Sequence, residues 1–167
     1  MRFVINLAAL AAALALQTTL TNYVQQTAAL DFVLVMVVSL ALTSGPTTGV
    51  LAGSVAGLVQ DALSSGVVGI GALAKTVVGF AVGRVGTQFI VTAPLPRFVV
   101  FLAATLVHAA LFMGLYVLLG LRSFPAPYGA VGGQAVGNAV VGVIGFQIWE
   151  WLPGFLARRR QRRPGRR

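Results

Sequence analysis

Six predominantly apolar stretches, separated by turn-forming residues, occupy almost the whole of this 167-residue chain. They run over Phe3–Leu20, Ala28–Thr43, Thr47–Leu63, Val67–Val91, Phe98–Leu121 and Gly129–Leu152. A bilayer hydrocarbon core about 30 Å thick takes roughly 20 helical residues to cross. Within it only helices or a closed barrel satisfy every backbone N–H and C=O. The runs lack the apolar-polar alternation of barrel strands, which selects helices. The expected fold class is therefore all-α, a polytopic membrane protein with six transmembrane helices in a compact bundle. Breakers mark the connections: Thr21-Asn22, Ser44-Gly45-Pro46, Ser64-Ser65-Gly66, Pro94-Leu95-Pro96 and Pro125-Ala126-Pro127. The first run also has features of a signal peptide, with Arg2 before an apolar segment and a small-x-small site at Ala13-Leu14-Ala15. A compact bundle would lose a packing partner if that run were removed, so it is read as a span.

Charge supports this and orients it. Only 9% of the residues are charged, against about 25% in a soluble domain. Of 12 bases, seven lie between Arg158 and Arg167, leaving five bases and three acids in residues 1–157. A nucleic-acid-binding domain would spread bases over a folded face among aromatics, so the net charge of +9 does not imply nucleic acid. The chain divides into a transmembrane domain, residues 1–157, and a basic tail, residues 158–167, expected to be disordered. The positive-inside rule puts Arg2, Arg84, Arg97 and the tail on the cytoplasmic side, leaving Arg122 alone in the outer loops. Both termini are then cytoplasmic. Asp31 and Asp61 fall near outer ends, and Lys75 lies within the membrane. Trp149 and Trp151 mark the inner interface, Tyr23 and Tyr128 the outer one. In the tail, Arg158, Arg159, Arg160, Arg162 and Arg163 hold the chain to anionic lipid at about 1 kcal/mol each; contact with an acidic cytoplasmic partner is the sharper alternative.

Between helices in lipid, association depends on close packing at small residues and on polar contacts. Gly45, Gly49, Gly53 and Gly57 recur every four residues in the third stretch, and Asp61 extends the series. Gly129, Gly133 and Gly137 form a second row, Gly79 and Gly83 a shorter one. These rows are expected to pack helices together, or to form a groove for a partner's helix. The segment Gly69-Ile70-Gly71-Ala72-Leu73-Ala74 matches a dinucleotide fingerprint in spacing only, with no acid before Glu150 to hold a ribose.

Intramembrane charges are functional candidates by default. Asp61 and Lys75 both fall on the outer half, and the reading is that they pair, or that Asp61 caps the start of the fourth helix. His108 is expected to donate to a backbone carbonyl or to Asn138. Glu150 and Arg84 are close enough in depth to pair, with solvated headgroup contact preferred. Cysteine is absent and His108 is the sole histidine, so neither a metal centre nor a cofactor is called for. Ser54 lacks the surroundings of a nucleophile elbow, so the chain is not read as an enzyme.

The segment from Asp31 to Phe80 carries a resemblance. It combines Asp31, Gly45-Pro46, the row Gly49, Gly53, Gly57 ending at Gln60-Asp61, then Ser65-Gly66, Gly69, Ala72-Leu73-Ala74-Lys75-Thr76 and Gly79-Phe80. This pattern resembles the MreD family of rod shape-determining membrane proteins. Asn138, followed by an interfacial tryptophan and a basic tail, is a weaker part of the match. Gln60 departs from the family, which more often has an apolar residue before the Asp. The resemblance implies a non-enzymatic scaffold of cell-wall elongation in the bacterial inner membrane. It implies binding to the bitopic protein MreC and, through it, association with a SEDS glycosyltransferase, a class B penicillin-binding protein and MreB. It also implies a fold similar to the six-helix substrate-binding components of energy-coupling-factor transporters. Gly45, Gly49, Gly53, Gly57, Asp61, Lys75 and Asn138 are the candidate structural or partner-contact residues. A small-solute binding or transport component is the alternative. It would require an outer polar pocket drawing on Asp31, Asp61, Lys75 and Gln134, whereas the scaffold reading expects no internal aqueous site.

Overall fold

A computed structural model describes the backbone of residues 2–23, 30–64, 66–89, 91, 93–121 and 128–161, and the side chains of 6–19, 30–64, 66–89, 91, 93–121 and 128–148. The architecture is all-helical, with α1 Arg2–Tyr23, α2 Phe32–Ser44, α3 Pro46–Leu63, α4 Ile70–Gln88, α5 Pro94–Leu118 and α6 Tyr128–Gln161.

Several boundaries differ from the sequence reading, each for a local reason. α5 begins at Pro94, inside the expected Pro-Leu-Pro connector, because proline at a first-turn position gives up an N–H that has no helical partner there. Pro46 opens α3 in the same way, after Gly45 has turned the chain at φ +86°. α1 continues through the expected turn at Thr21-Asn22. Thr18 and Thr19 hydroxyls bond back to carbonyls of the preceding turn. α6 passes the expected domain boundary at 157 and stays helical through Arg158, Arg159 and Arg160 to Gln161. The run from Leu156 to Gln161 consists of good helix formers. Arg122, the turn at Pro125-Ala126-Pro127, and Arg162 and Arg163 lie outside the described residues, as do the side chains of Tyr23, Trp149, Glu150 and Trp151.

Among the described residues, three helical segments are long and apolar enough to cross a membrane: Ile70–Gln88, Pro94–Leu118 and Tyr128–Ile148. α2 has 13 residues, about 20 Å at 1.5 Å per residue. It is the bundle's interior helix: Val33, Leu34, Val37, Val38 and Ala41 are each at most 1% exposed. A helix apolar on all sides is a buried one. α3 is diluted in hydropathy by its glycines, threonines, Gln60 and Asp61.

α3 and α4 pack antiparallel with their backbones nearly touching. A Cβ at Gly53 would stand 2.5 Å from the Lys75 carbonyl oxygen, and one at Gly49 would collide with the Gly79 carbonyl. At Gly57 the collision is with the Ala72 Cα, and at Gly83 with Pro46. Gly49, Gly53 and Gly57 of the third-stretch row thus face α4 inside the bundle, whereas Gly45 makes only ordinary contact with Thr87. α5 and α6 meet through a different device, Phe101 lying over Gly142, where a Cβ would come within 2.6 Å of the ring. Leu34, Val38, Val78, Val82, Phe101 and Ala139 join α2, α4, α5 and α6 in one core, while Leu10, Val37, Leu40 and Ala56 join α1, α2 and α3 in another. The outside is apolar as well: Leu51, Leu63, Leu73, Phe80, Val99 and Leu118 are all exposed, as a lipid-facing surface requires.

Candidate polar site at the α3–α4 end of the bundle

The buried polar residues gather toward the end of the bundle where α2, α4 and α6 begin. Asp31 precedes α2, and its Oδ1 accepts the Leu34 N–H at 2.8 Å, which caps the helix. Its other oxygen lies 3.0 Å from Lys75 Nζ on α4. Lys75 Nζ also lies 3.2 Å from His108 Nε2 on α5. An ammonium only donates, so Nε2 accepts and a neutral ring carries its proton on Nδ1. The His108 ring stacks on Phe112. From α6, Asn138 accepts the Asp31 backbone N–H at 2.9 Å and donates to Thr105 Oγ1 at 3.3 Å. Thr105 in turn donates to the Phe101 carbonyl. Asp31, Lys75, His108, Thr105 and Asn138 are all below 10% exposed, so this network ties α2, α4, α5 and α6 together within the bundle.

Of the two arrangements expected for Asp61, the structure has the cap on α4 and not the ion pair with Lys75. The antiparallel register sets Lys75 opposite Gly53, two turns below Asp61, and α2 delivers a nearer carboxylate. Asp61 Oδ2 instead accepts the N–H groups of Gly69 at 2.9 Å and Ala72 at 3.0 Å. These are unsatisfied donors of the first turn of α4, and the helix dipole favours an anion there. His108 likewise takes a partner other than a carbonyl or Asn138. Spaced three apart on α5, Thr105 turns to Asn138 and His108 to Lys75.

Other polar groups act as local ties. Gln17 on α1 donates to the Leu30 carbonyl and accepts the Phe32 N–H, fastening α1 to the entry of α2. Tyr116 on α5 accepts the Val67 N–H in the α3–α4 connection. Gln17 belongs to no motif, so sequence reasoning had no signal for it. At the opposite end Arg97 is buried, 4.6 Å above the Phe146 ring, and donates to the Val91 carbonyl. Arg84 is exposed.

A cavity of about 320 Å³ opens beside the network. Asp31, Asp61, Lys75, His108 and Gln134 all line it, together with Gln60 and Tyr116. The sequence reading of a scaffold expected no such internal space. Among the described residues no group of three His, Cys, Asp or Glu side chains is placed to hold a metal ion.

Comparisons with known proteins bear on this chain through one family. Neither a search of curated proteins nor one of solved structures gives a match. The family model described as rod shape-determining protein MreD matches residues 1–152, taking in all six helices up to the last turns of α6. The chain, a helical bundle with a lipid-facing exterior and its glycine row closed between α3 and α4, therefore belongs to the MreD family of membrane proteins that determine rod shape.

Proposed function

We propose that this chain is the integral-membrane scaffold subunit of a bacterial cell-wall elongation machinery. It crosses the inner membrane six times with both termini in the cytoplasm. It binds an MreC-like bitopic protein and through it helps organise a SEDS glycosyltransferase, a class B penicillin-binding protein and MreB. The observation that carries this reading is the family match over residues 1–152. The bundle supports it physically, because Asp31, Lys75, Thr105, His108 and Asn138 are occupied with holding helices to one another. Positive-inside charge supports the topology, with Arg84, Arg97 and the tail arginines at one end. Short interior helices such as α2 are compatible with six crossings through local adjustment of the bilayer to a short hydrophobic stretch. The same architecture is proposed to be shared with the substrate-binding components of energy-coupling-factor transporters. A transport role would draw on the polar cavity, but membership in a shape-determining family supports the scaffold.

A partner's helix needs a surface that admits close approach. One face with room for such an approach is the start of α6, where Gly129, Gly132 and Gly133 have open space at the Cβ position, while Gly137 is covered by Leu30. Depleting the protein in its rod-shaped host and imaging the cells tests the role. Rounding, with an MreC-like protein co-purifying from undepleted cells, is the expected result; normal rods contradict it.

A further inference from the structure

The polar lining of the cavity divides into a part that is satisfied and a part that is not. Asp31 and Lys75 neutralise each other at 3.0 Å, and His108 Nε2 accepts a hydrogen bond from Lys75. Asp61 is different. It is 8% exposed, both of its hydrogen bonds fall on Oδ2, and among the described residues no cation pairs with it. The adjacent Gln60 Oε1 is buried with no hydrogen-bond partner among the described residues. Both groups line the same cavity. The unused groups next to each other there, Asp61 Oδ1 and Gln60 Oε1, are both acceptors, and the formal charge of Asp31, Lys75 and Asp61 together is that of one carboxylate.

Asp61 is held by two backbone N–H groups but has no cation beside it among the described residues, and the Gln60 carbonyl is buried without a partner, so both leave acceptor capacity unused. Water would satisfy the carbonyl but leave the charge uncompensated. A cation that donates N–H bonds meets both needs, since an ammonium brings three donors and a guanidinium five. The cavity stands at the small end of ligand sites, which span roughly 300–1,000 Å³. Val67, Phe112 and Met113 offer an apolar wall for an alkyl stem. We propose that this cavity binds a cationic N–H donor, a primary ammonium or guanidinium head on a short apolar stem, with Asp61 supplying the charge and Gln60 a hydrogen-bond acceptor.

The proposal does not depend on the assembly role. Its test uses the full-length chain in detergent, titrated with ethylammonium chloride and, at equal ionic strength, tetramethylammonium chloride, which has the same charge and no N–H. Calorimetric titration and thermal melting should show saturable binding and stabilisation by ethylammonium alone. Asp61→Asn keeps an oxygen to cap α4 but removes the charge, and it should weaken ethylammonium binding at least tenfold. Gln60→Met leaves the cap untouched and should weaken binding several-fold. Equal responses to the two cations, or unchanged ethylammonium binding in both variants, overturns the proposal. Two sources carry this chemistry, a free amine and a basic side chain of a bound protein. If the chain co-isolated with its partner responds as the chain alone does, the source is a free amine. If only the complex has lost the response, a seated side chain is the source.

Discussion

Lys75 on α4 is held by Asp31, 44 residues earlier in the chain, with Nζ 3.0 Å from Oδ2 and both side chains under 10% exposed. Each residue also has a second partner on another helix: His108 on α5 for Lys75, and Asn138 on α6 for the Asp31 backbone. The ion pair is thereby the centre of a four-helix junction.

Removing one member of a buried pair strands the other, at a cost of about 3–5 kcal/mol. Lys75→Met should therefore destabilise the protein by about that amount in detergent. The double variant Asp31→Asn/Lys75→Met should recover a large part of the loss, because no charge is left unpaired. Unfolding of the two single variants and the double, analysed as a cycle, measures the coupling. Strict additivity of the single effects would show that the pair contributes nothing.

Asp61 acts as a cap, so its stability effect should follow capping chemistry. Asp61→Ala should cost about 1 kcal/mol, within the 0.5–2 kcal/mol range of lost caps. Asp61→Asn should cost only a few tenths, since asparagine caps as well as aspartate does. A loss for Asp61→Asn as large as that for Lys75→Met would indicate an ion pair at Asp61 after all. Denaturant midpoints in the same detergent make the comparison.

The two glycine rows should answer differently to substitution. Gly53→Leu drives a side chain into the Lys75 backbone and should prevent α3 and α4 from closing, seen as loss of the folded monomer in size-exclusion chromatography. Gly133→Leu meets open space and should leave the fold intact. If α6 receives a partner's helix, Gly133→Leu should lower recovery of the MreC-like protein in pull-downs. Full recovery would move the contact elsewhere.

Topology is directly accessible because the chain contains no cysteine. A membrane-impermeant maleimide should label Arg122→Cys in intact spheroplasts, and Arg166→Cys only after permeabilisation. The reverse pattern would invert the proposed orientation.

Much of this organisation was legible in the residues. Apolar run length and the absence of alternation specified helices, and the four-residue glycine spacing marked the closest helix contact. The pattern from Asp31 to Phe80 carried the family. What the residues did not disclose was the choice of partner among charges. Asp61 and Lys75 look like neighbours because the loop between their helices is short, but pairing depends on register. The α3–α4 packing sets Lys75 opposite Gly53 while α2, inserted between other helices, brings Asp31 to it. The roles of Gln17 and Gln60 also depend on tertiary placement alone.

If the polar junction of Asp31 and Lys75 holds together a membrane protein on which rod shape depends, cell shape should follow the state of that junction. The most direct measurement is cell shape in a rod-shaped host depleted of its own protein and supplied with wild-type chain, Lys75→Met or Asp31→Asn/Lys75→Met at matched expression. Wild type should restore rods, Lys75→Met should leave cells round, and the double variant should restore rods at least in part. Full rod restoration by Lys75→Met alone would contradict the account.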